Sequence, residues 1–423
     1  MNRTARDRTG DHPAPVERIE LNEDKLRLRF ILAVVFLAVG LGALFYALTR
    51  LLTPDTGWQE IQTSRGGYSV GSDFVFYYDL GAGGGSPTAE KKKLTVLYTQ
   101  AAAEAYQIFD AHQRYEGVGN LASLSDAPNE TVTVDPGLYR ALEKLERSGR
   151  RELYLAPVYE MYYSLFHCQE LSETEDFDPF RNRDLADWCR EAAAFAADPE
   201  AVSLEFPGED RVCLRVSEEY LAFLREYGIT DFLDFFWMRN AFVTDYLADA
   251  LTGAGFTRGC LSSRDGFVRD LDGSGTAFDL NLFHRTADGK VYPAGVMTYR
   301  GPASLVSLYA YPVAAERNDW YYAMPDGTVR HPFVDVSDGL CRTSVPELTA
   351  YSSEGGCADV LLRVLGIFLS DTLDGDALAD LAGQGVYTVR CEDGVILHTD
   401  PAAEFSALYA GDDMVFRTEP AGR

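Results

Sequence analysis

Asp270-Leu-Asp272-Gly-Ser274-Gly275 sets side-chain oxygens at alternating positions with a glycine at the sixth, which is how a calcium loop begins. The twelfth position is Asn281, which has no bidentate carboxylate to offer, and no paired helical patterns flank the segment. A tight hairpin between two strands accounts for the same residues. Gly81 to Ser86 (GAGGGS) has the composition of a phosphate-cradling loop. No Lys-Ser/Thr pair follows and no helical pattern opens there, so it reads as a flexible hairpin or loop. The six histidines, His12, His112, His167, His284, His331 and His398, are scattered. Without a Gly-x-Ser-x-Gly elbow or a His-Glu-x-x-His pair, hydrolase triads and zincins have no sequence handle. Seven cysteines include no CxxC and no close Cys/His cluster, so a zinc site has no support. Most of them read as buried free thiols.

The chain that must position such groups has 423 residues, 46% hydrophobic and 24% charged, which fits a globular protein. Its 38 Lys+Arg against 65 Asp+Glu give a formal net charge of -27. That excess repels phosphate backbones and argues against nucleic acid as a partner. Phe30 to Thr49 is an uncharged apolar run bounded by Arg29 and Arg50. Twenty residues at about 1.5 Å each match a hydrocarbon core of about 30 Å, so 30–50 reads as a single-pass membrane anchor. Arg18, Lys25, Arg27 and Arg29 crowd its N-terminal flank, which places 1–29 in the cytoplasm as a disordered arm. The rest of the chain is then extracytoplasmic, at the cell membrane: a stalk over 51–73 rich in Thr, Gly, Ser and Asp, and one domain over 74–423.

Within that domain Leu94 to Tyr115 has helical spacing, and Asp135-Pro136 followed by LYRALEKLER starts a helix that Gly149 closes. Further helices fall near 153–166, 181–197, 218–228 (capped by Ser217) and 356–370. Between about 256 and 340 the pattern changes to short strands and turns: GFVRDL, AFDLNLFHR, KVYPAGVMTYR and SLVSLYAYP. VYTVRC and VILHTD flank a turn at Glu392-Asp393-Gly394. Helices and antiparallel strands mix without βαβ alternation, so the fold class is α+β.

One ordered set of segments carries a family likeness. Asp234 to Asp245 reads DFFWMRNAFVTD and runs on as YLADALTGAGF. His331-Pro-Phe-Val-Asp335-Val-Ser-Asp-Gly339 follows, then Cys357-Ala358-Asp359-Val-Leu-Leu-Arg363. In this order they resemble the DLGGIAKGYAVD, HIIDPxTG and ADALSTAL segments of the FAD:protein FMN transferases, the ApbE type. Asn120-Leu-Ala-Ser-Leu124 and Tyr154-Leu-Ala-Pro157 echo upstream segments of the same family. The likeness runs over roughly 74–400.

This resemblance implies an ApbE-like α+β fold and the chemistry of a divergent, membrane-anchored member. Such enzymes split FAD at its pyrophosphate and move FMN onto a Ser/Thr hydroxyl, with Mg²⁺ neutralising the phosphates. Carried onto this chain, Asp359 would hold Mg²⁺, Asp234 would act catalytically at the flavin phosphate, and Asn240 and Asp335 would line the FAD cleft. An envelope protein would be the acceptor. The departures are specific. Arg363 stands where a metal-binding Thr belongs, Asn240 replaces a Lys, and Phe236-Trp237 replace Gly-Gly. Two readings follow: a divergent transferase in which Arg363, Arg239 or Arg264 carries part of the phosphate charge, or a flavin- or partner-binding scaffold without transfer, its metal site filled by an Arg363–Asp359 pair.

Overall fold

In the computed structural model the described residues are 26–52, 56–64, 73–168, 174–313 and 320–421. The cytoplasmic arm expected over 1–29 lies outside them up to residue 25. The chain forms two compact units, Met1–Pro54 and Asp55–Arg423. In the first, helix α1 (Leu26–Leu52) covers the apolar run. Among the described residues no helix is long and apolar enough to cross a membrane. The side chains of Ala33 and of 46–52 fall outside those residues, so the anchor over 30–50 rests on the sequence alone.

The helices of the second unit are α2 (Pro87–Ile108), α3 (Leu121–Ser125), α4 (Pro136–Ser148), α5 (Ala156–Phe166) and α6 (Thr174–Phe177). They continue as α7 (Arg183–Ala197), α8 (Glu218–Tyr227), α9 (Arg239–Gly253), α10 (Cys357–Phe368) and α11 (Gly375–Gly383). Local chemistry sets several of their ends. The Asp135 carboxylate accepts from the Gly137 amide ahead of Pro136, and Gly149 closes α4 at φ 71°. Ser217 caps α8 through the Tyr220 amide. α2 begins earlier than its apolar spacing suggests, because Ser86 and Pro87 start it directly after the glycine run. A helix does therefore open after GAGGGS, but the Glu90 carboxylate already takes the Gly81 amide at 2.7 Å.

Nine strands form the main sheet, in the order Gly57–Glu60, Phe74–Leu80, Gly259–Ser263, Phe267–Asp270, Ala303–Tyr309, Glu347–Ser352, Tyr387–Glu392, Val395–His398 and Arg417–Pro420. Each pairing is antiparallel except the last, which is parallel. The first strand corrects the expected stalk over 51–73: Trp58 pairs with Asp79 and Gln59 with Tyr78, so part of that segment belongs to the sheet. Residues 53–55 and 65–72 of the stalk lie outside the described residues.

Alternation along the central strands divides the apolar residues between two cores. Val306, Leu308, Leu348 and Ala350 join the helices, including Leu361 and Leu365 of α10, both fully buried. Ala303, Leu305 and Val389 face the other way and pack with Leu282, Ala294 and Met297 of a three-stranded sheet. Truncating the fully buried Leu365 to Ala would cost about 2–5 kcal/mol. The α+β expectation holds, and α9 and α10, which carry two of the quoted motifs, lie packed against each other over the sheet.

Candidate functional site

A cleft of about 390 Å³ opens where the turn at Arg264–Gly266 meets the end of the strand Ala303–Tyr309. One wall comes from the 3-10 turn Phe236–Met238 and the start of α9, the other from Tyr309, Tyr311, Trp320 and Phe333. The turn is nucleated by Asp234, whose Oδ1 accepts from the Phe236 amide at 2.7 Å. Phe236 sits at φ +46°, a left-handed conformation that few bulky residues adopt. Its ring is held from both sides, stacked on Tyr159 at 4.5 Å and 18° and meeting Trp320 edge-on at 4.8 Å. Trp237 is held likewise, edge-on to Phe333 at 4.8 Å. Tyr163 at the rim is 46% exposed, stacks on His167 at 4.2 Å and lies 6.2 Å from Trp320. The cleft is therefore walled by aromatic rings, of which Phe236, Trp237 and Phe333 are largely buried against their neighbours while Tyr309 and Trp320 are partly exposed.

Its polar groups cluster at the mouth. Asn240, buried at the start of α9, donates from Nδ2 to Asp265 Oδ2 at 2.8 Å. Asp265 faces the open cleft, yet protein packed around its carboxyl raises its pKa against the pull of the Ser263 and Asn240 hydrogen bonds. Arg239 and Asp73 approach to 3.9 Å, and Arg264 is exposed beside them. The segment supplying Phe333 is fastened by a buried pair. Arg330 grips Asp178 with Nε and Nη2 at 3.0 and 3.1 Å and lies 4.0 Å over the Phe180 ring.

Of the four residues singled out from sequence, only Asn240 lines this cleft. Asp234 sits just behind the cleft wall. Burial raises its pKa, partly offset by the Phe236 amide and by His112, whose Nε2 lies 3.8 Å from Oδ2. The Asp231 hydrogen bond raises His112 to about 9, so that histidine is a cation at neutral pH. Asp335 is drawn into its own turn: Oδ1 accepts from the Ser337 amide at 2.8 Å and Oδ2 faces Arg342 at 3.4 Å. Pro332 and Phe333, not Asp335, reach the cleft. His331 is buried, and desolvation lowers its pKa to about 3, so it is neutral across the physiological range.

Asp359 lies away from the cleft lining, in the first turn of α10. Its Oδ2 accepts from the Gly356 amide at 2.8 Å and from Lys144 Nζ of α4 at 2.9 Å. Burial pushes its pKa up, but these two donors more than offset that, leaving it below the usual carboxylate value. The expected Arg363–Asp359 pair is corrected by this geometry: Arg363 is exposed, and the partner is Lys144. Asp245, the second acid of the DFFWMRNAFVTD segment, reaches across from α9 and accepts from the Cys357 and Ala358 amides at 2.7 and 3.0 Å. Burial raises its pKa to about 6. The amides at the α10 N-terminus are thus satisfied by two of the chain's own carboxylates. The Asp270–Gly275 segment is equally turned on itself, with the Asp272 amide on Asp270 and the Ser274 amide on Asp272. Among the described residues no group of three His, Cys, Asp or Glu could hold a metal ion. Cys189, Cys213, Cys260, Cys341, Cys357 and Cys391 are buried free thiols.

No protein-family model matches the chain, and no curated protein matches its sequence. Solved structures do. The ApbE protein of Thermotoga maritima superposes with a TM-score of 0.53 at 12% identity, over 83% of this chain and 97% of that one. The flavin transferase ApbE of Vibrio cholerae superposes with a TM-score of 0.50 at 12% identity, over 79% and 93%. The fold is that of the ApbE proteins. At this identity the likeness concerns architecture, and this chain's own residues decide what the ApbE-like fold can do.

Tested against Mg²⁺, those residues do not fit. A Mg²⁺ site needs about six oxygens in octahedral array. Here Asp359 Oδ2 already holds an ammonium and an amide, each Asp245 oxygen already accepts from an amide, and Arg363 offers no lone pair. What sequence reasoning missed is non-local. Lys144 is 215 positions from Asp359, and nothing in its helix marks it. The cleft aromatics did leave a trace, in the density of Tyr, Phe and Trp over 159–166 and 309–322.

Proposed function

We propose that this chain is a ligand-binding module of the cell envelope that takes a planar aromatic ligand of the flavin class and does not carry out Mg²⁺-dependent transfer. The observation that carries the reading is the pairing of an open aromatic cleft with a closed α10 N-terminus. An aromatic lining in which Tyr309 and Trp320 are partly exposed and Phe236, Trp237 and Phe333 back the wall suits a fused ring system, and about 390 Å³ is within the range of small-molecule pockets. The ApbE-like fold supports a flavin as that ring system. Arg239 and Arg264 at the mouth suit an anionic tail, and Asn240 and Asp265 a polar ring edge.

FMN transfer from FAD to an envelope protein is the function this geometry favours less, because Asp359 is already paired with Lys144. The anchor over 30–50 belongs to the same proposal. The uncharged run Phe30 to Thr49, bounded by Arg29 and Arg50, is long enough to have its natural solvent in a bilayer. The Arg and Lys residues before it then hold the N-terminus in the cytoplasm and the cleft outside.

The test is a titration of the full chain with riboflavin, FMN and FAD followed by flavin fluorescence, on wild type and Trp320→Ala. Saturable binding that the substitution weakens about three- to tenfold is expected for loss of one ring contact. Absence of saturable binding for all three flavins, or binding indifferent to Trp320, would sink the proposal.

A further inference from the structure

We propose that Lys144 is a resident cation, held by the carboxylates at the α10 N-terminus in the place where a divalent ion would otherwise be recruited. The inference deepens the metal-free reading above and rests on it. Three elements converge at this point. α4 brings the ammonium, α9 brings Asp245, and α10 brings Asp359. Lys144 Nζ lies 2.9 Å from Asp359 Oδ2, and it also acts electrostatically on Asp245. Lys144 is the cation in direct contact with Asp359, while Arg363 acts on Asp359 and Arg269 on Asp245 from further off.

The packing leaves little room for an alternative arrangement. A Cβ at position 356 would stand 2.2 Å from Asp245 Oδ2, so only glycine lets the carboxylate approach the helix end. The Gly355 carbonyl just before it accepts from the Ser304 hydroxyl at 2.8 Å and from Arg269, which fixes the loop entering α10. An incoming divalent ion would have to displace an ammonium that cannot diffuse away, and would then find Arg363 one turn on where an oxygen donor is needed. A lysine also differs from a metal in being indifferent to chelators.

The experiment is Mn²⁺ binding to the full chain, read by electron paramagnetic resonance, together with thermal melts with and without Mn²⁺. Four chains are compared: wild type, Lys144→Met, Lys144→Met with Arg363→Thr, and the latter with Asp359→Asn added. Wild type is expected to show no saturable site up to about 1 mM Mn²⁺, and the double variant to gain one tighter by about tenfold or more. That gain disappears with Asp359→Asn. Lys144→Met lowers the melting temperature, and Mn²⁺ restores part of the loss in the double variant. A saturable wild-type site as tight as that of the double variant would overturn the proposal. So would a double variant that melts cooperatively and gains neither binding nor stabilisation. Flavin titration of the same chains reports separately on the cleft: loss of flavin binding with the Mn²⁺ results intact would count against the cleft reading alone.

Discussion

Phe236 gives the sharpest test of how the cleft wall is built. Its φ of +46° carries about 1–2 kcal/mol of strain for a residue with a Cβ, and the ring contacts to Tyr159 and Trp320 hold it there. Phe236→Ala removes the buried ring at a cost of about 3–5 kcal/mol while keeping the strain. Phe236→Gly removes the same ring and relieves the strain, less about 0.5–1 kcal/mol for glycine's greater freedom when unfolded. The glycine variant is therefore expected to be more stable than the alanine variant by about 1 kcal/mol, with both below wild type. Equilibrium urea unfolding of the three chains reads the differences directly. An alanine variant as stable as the glycine variant would refute the strained turn. A wild type no more stable than either would refute the stacking that offsets it.

Acid behaviour should report on His331. Its pKa is about 3 folded and about 6.5 unfolded, so between those values the unfolded chain binds a proton that the folded chain refuses. The stability its neutral ring contributes is fully present above about 6.5 and is lost as pH falls towards 3. His331→Leu is expected to flatten the acid limb of a stability–pH curve by up to about 1.4 kcal/mol per pH unit, and an unchanged slope would contradict its burial. Asp178→Ala leaves the half-buried Arg330 without this partner and should destabilise by about 1–3 kcal/mol in a denaturant melt. Asp178→Asn with Arg330→Met should recover part of that loss. Recovery of nothing would mean that the pair is not what fastens the Phe333 segment.

Much of the frame was legible because it is encoded locally. Asp135, Pro136 and Gly149 bound α4, Ser217 caps α8, and the strand read as AFDLNLFHR is Ala277–Arg285 as observed. The start of α2 was missed because a run of glycines masks the Ser86-Pro87 signal behind it. The stalk was misread because Gly57–Glu60 is short and is a strand only by pairing with Phe74–Leu80.

The site was less legible, because its roles depend on partners distant in sequence. Asp245 looks like any acid on a helix until α10 is packed against it. Asp359 sits in a motif that implies a metal, and only the approach of Lys144 shows which charge it answers. Asp335 resembles a cleft residue in the linear motif, but the turn it closes points its carboxylate at Ser337 and Arg342.

The most direct measurement of the central claim is the affinity of the full chain for FAD, once in EDTA and once in millimolar Mg²⁺. With an open aromatic cleft and Lys144 on Asp359, FAD binds saturably, with the same affinity in both conditions to within about twofold. Tightening by about tenfold or more in Mg²⁺, or no FAD binding in either condition, would contradict the account.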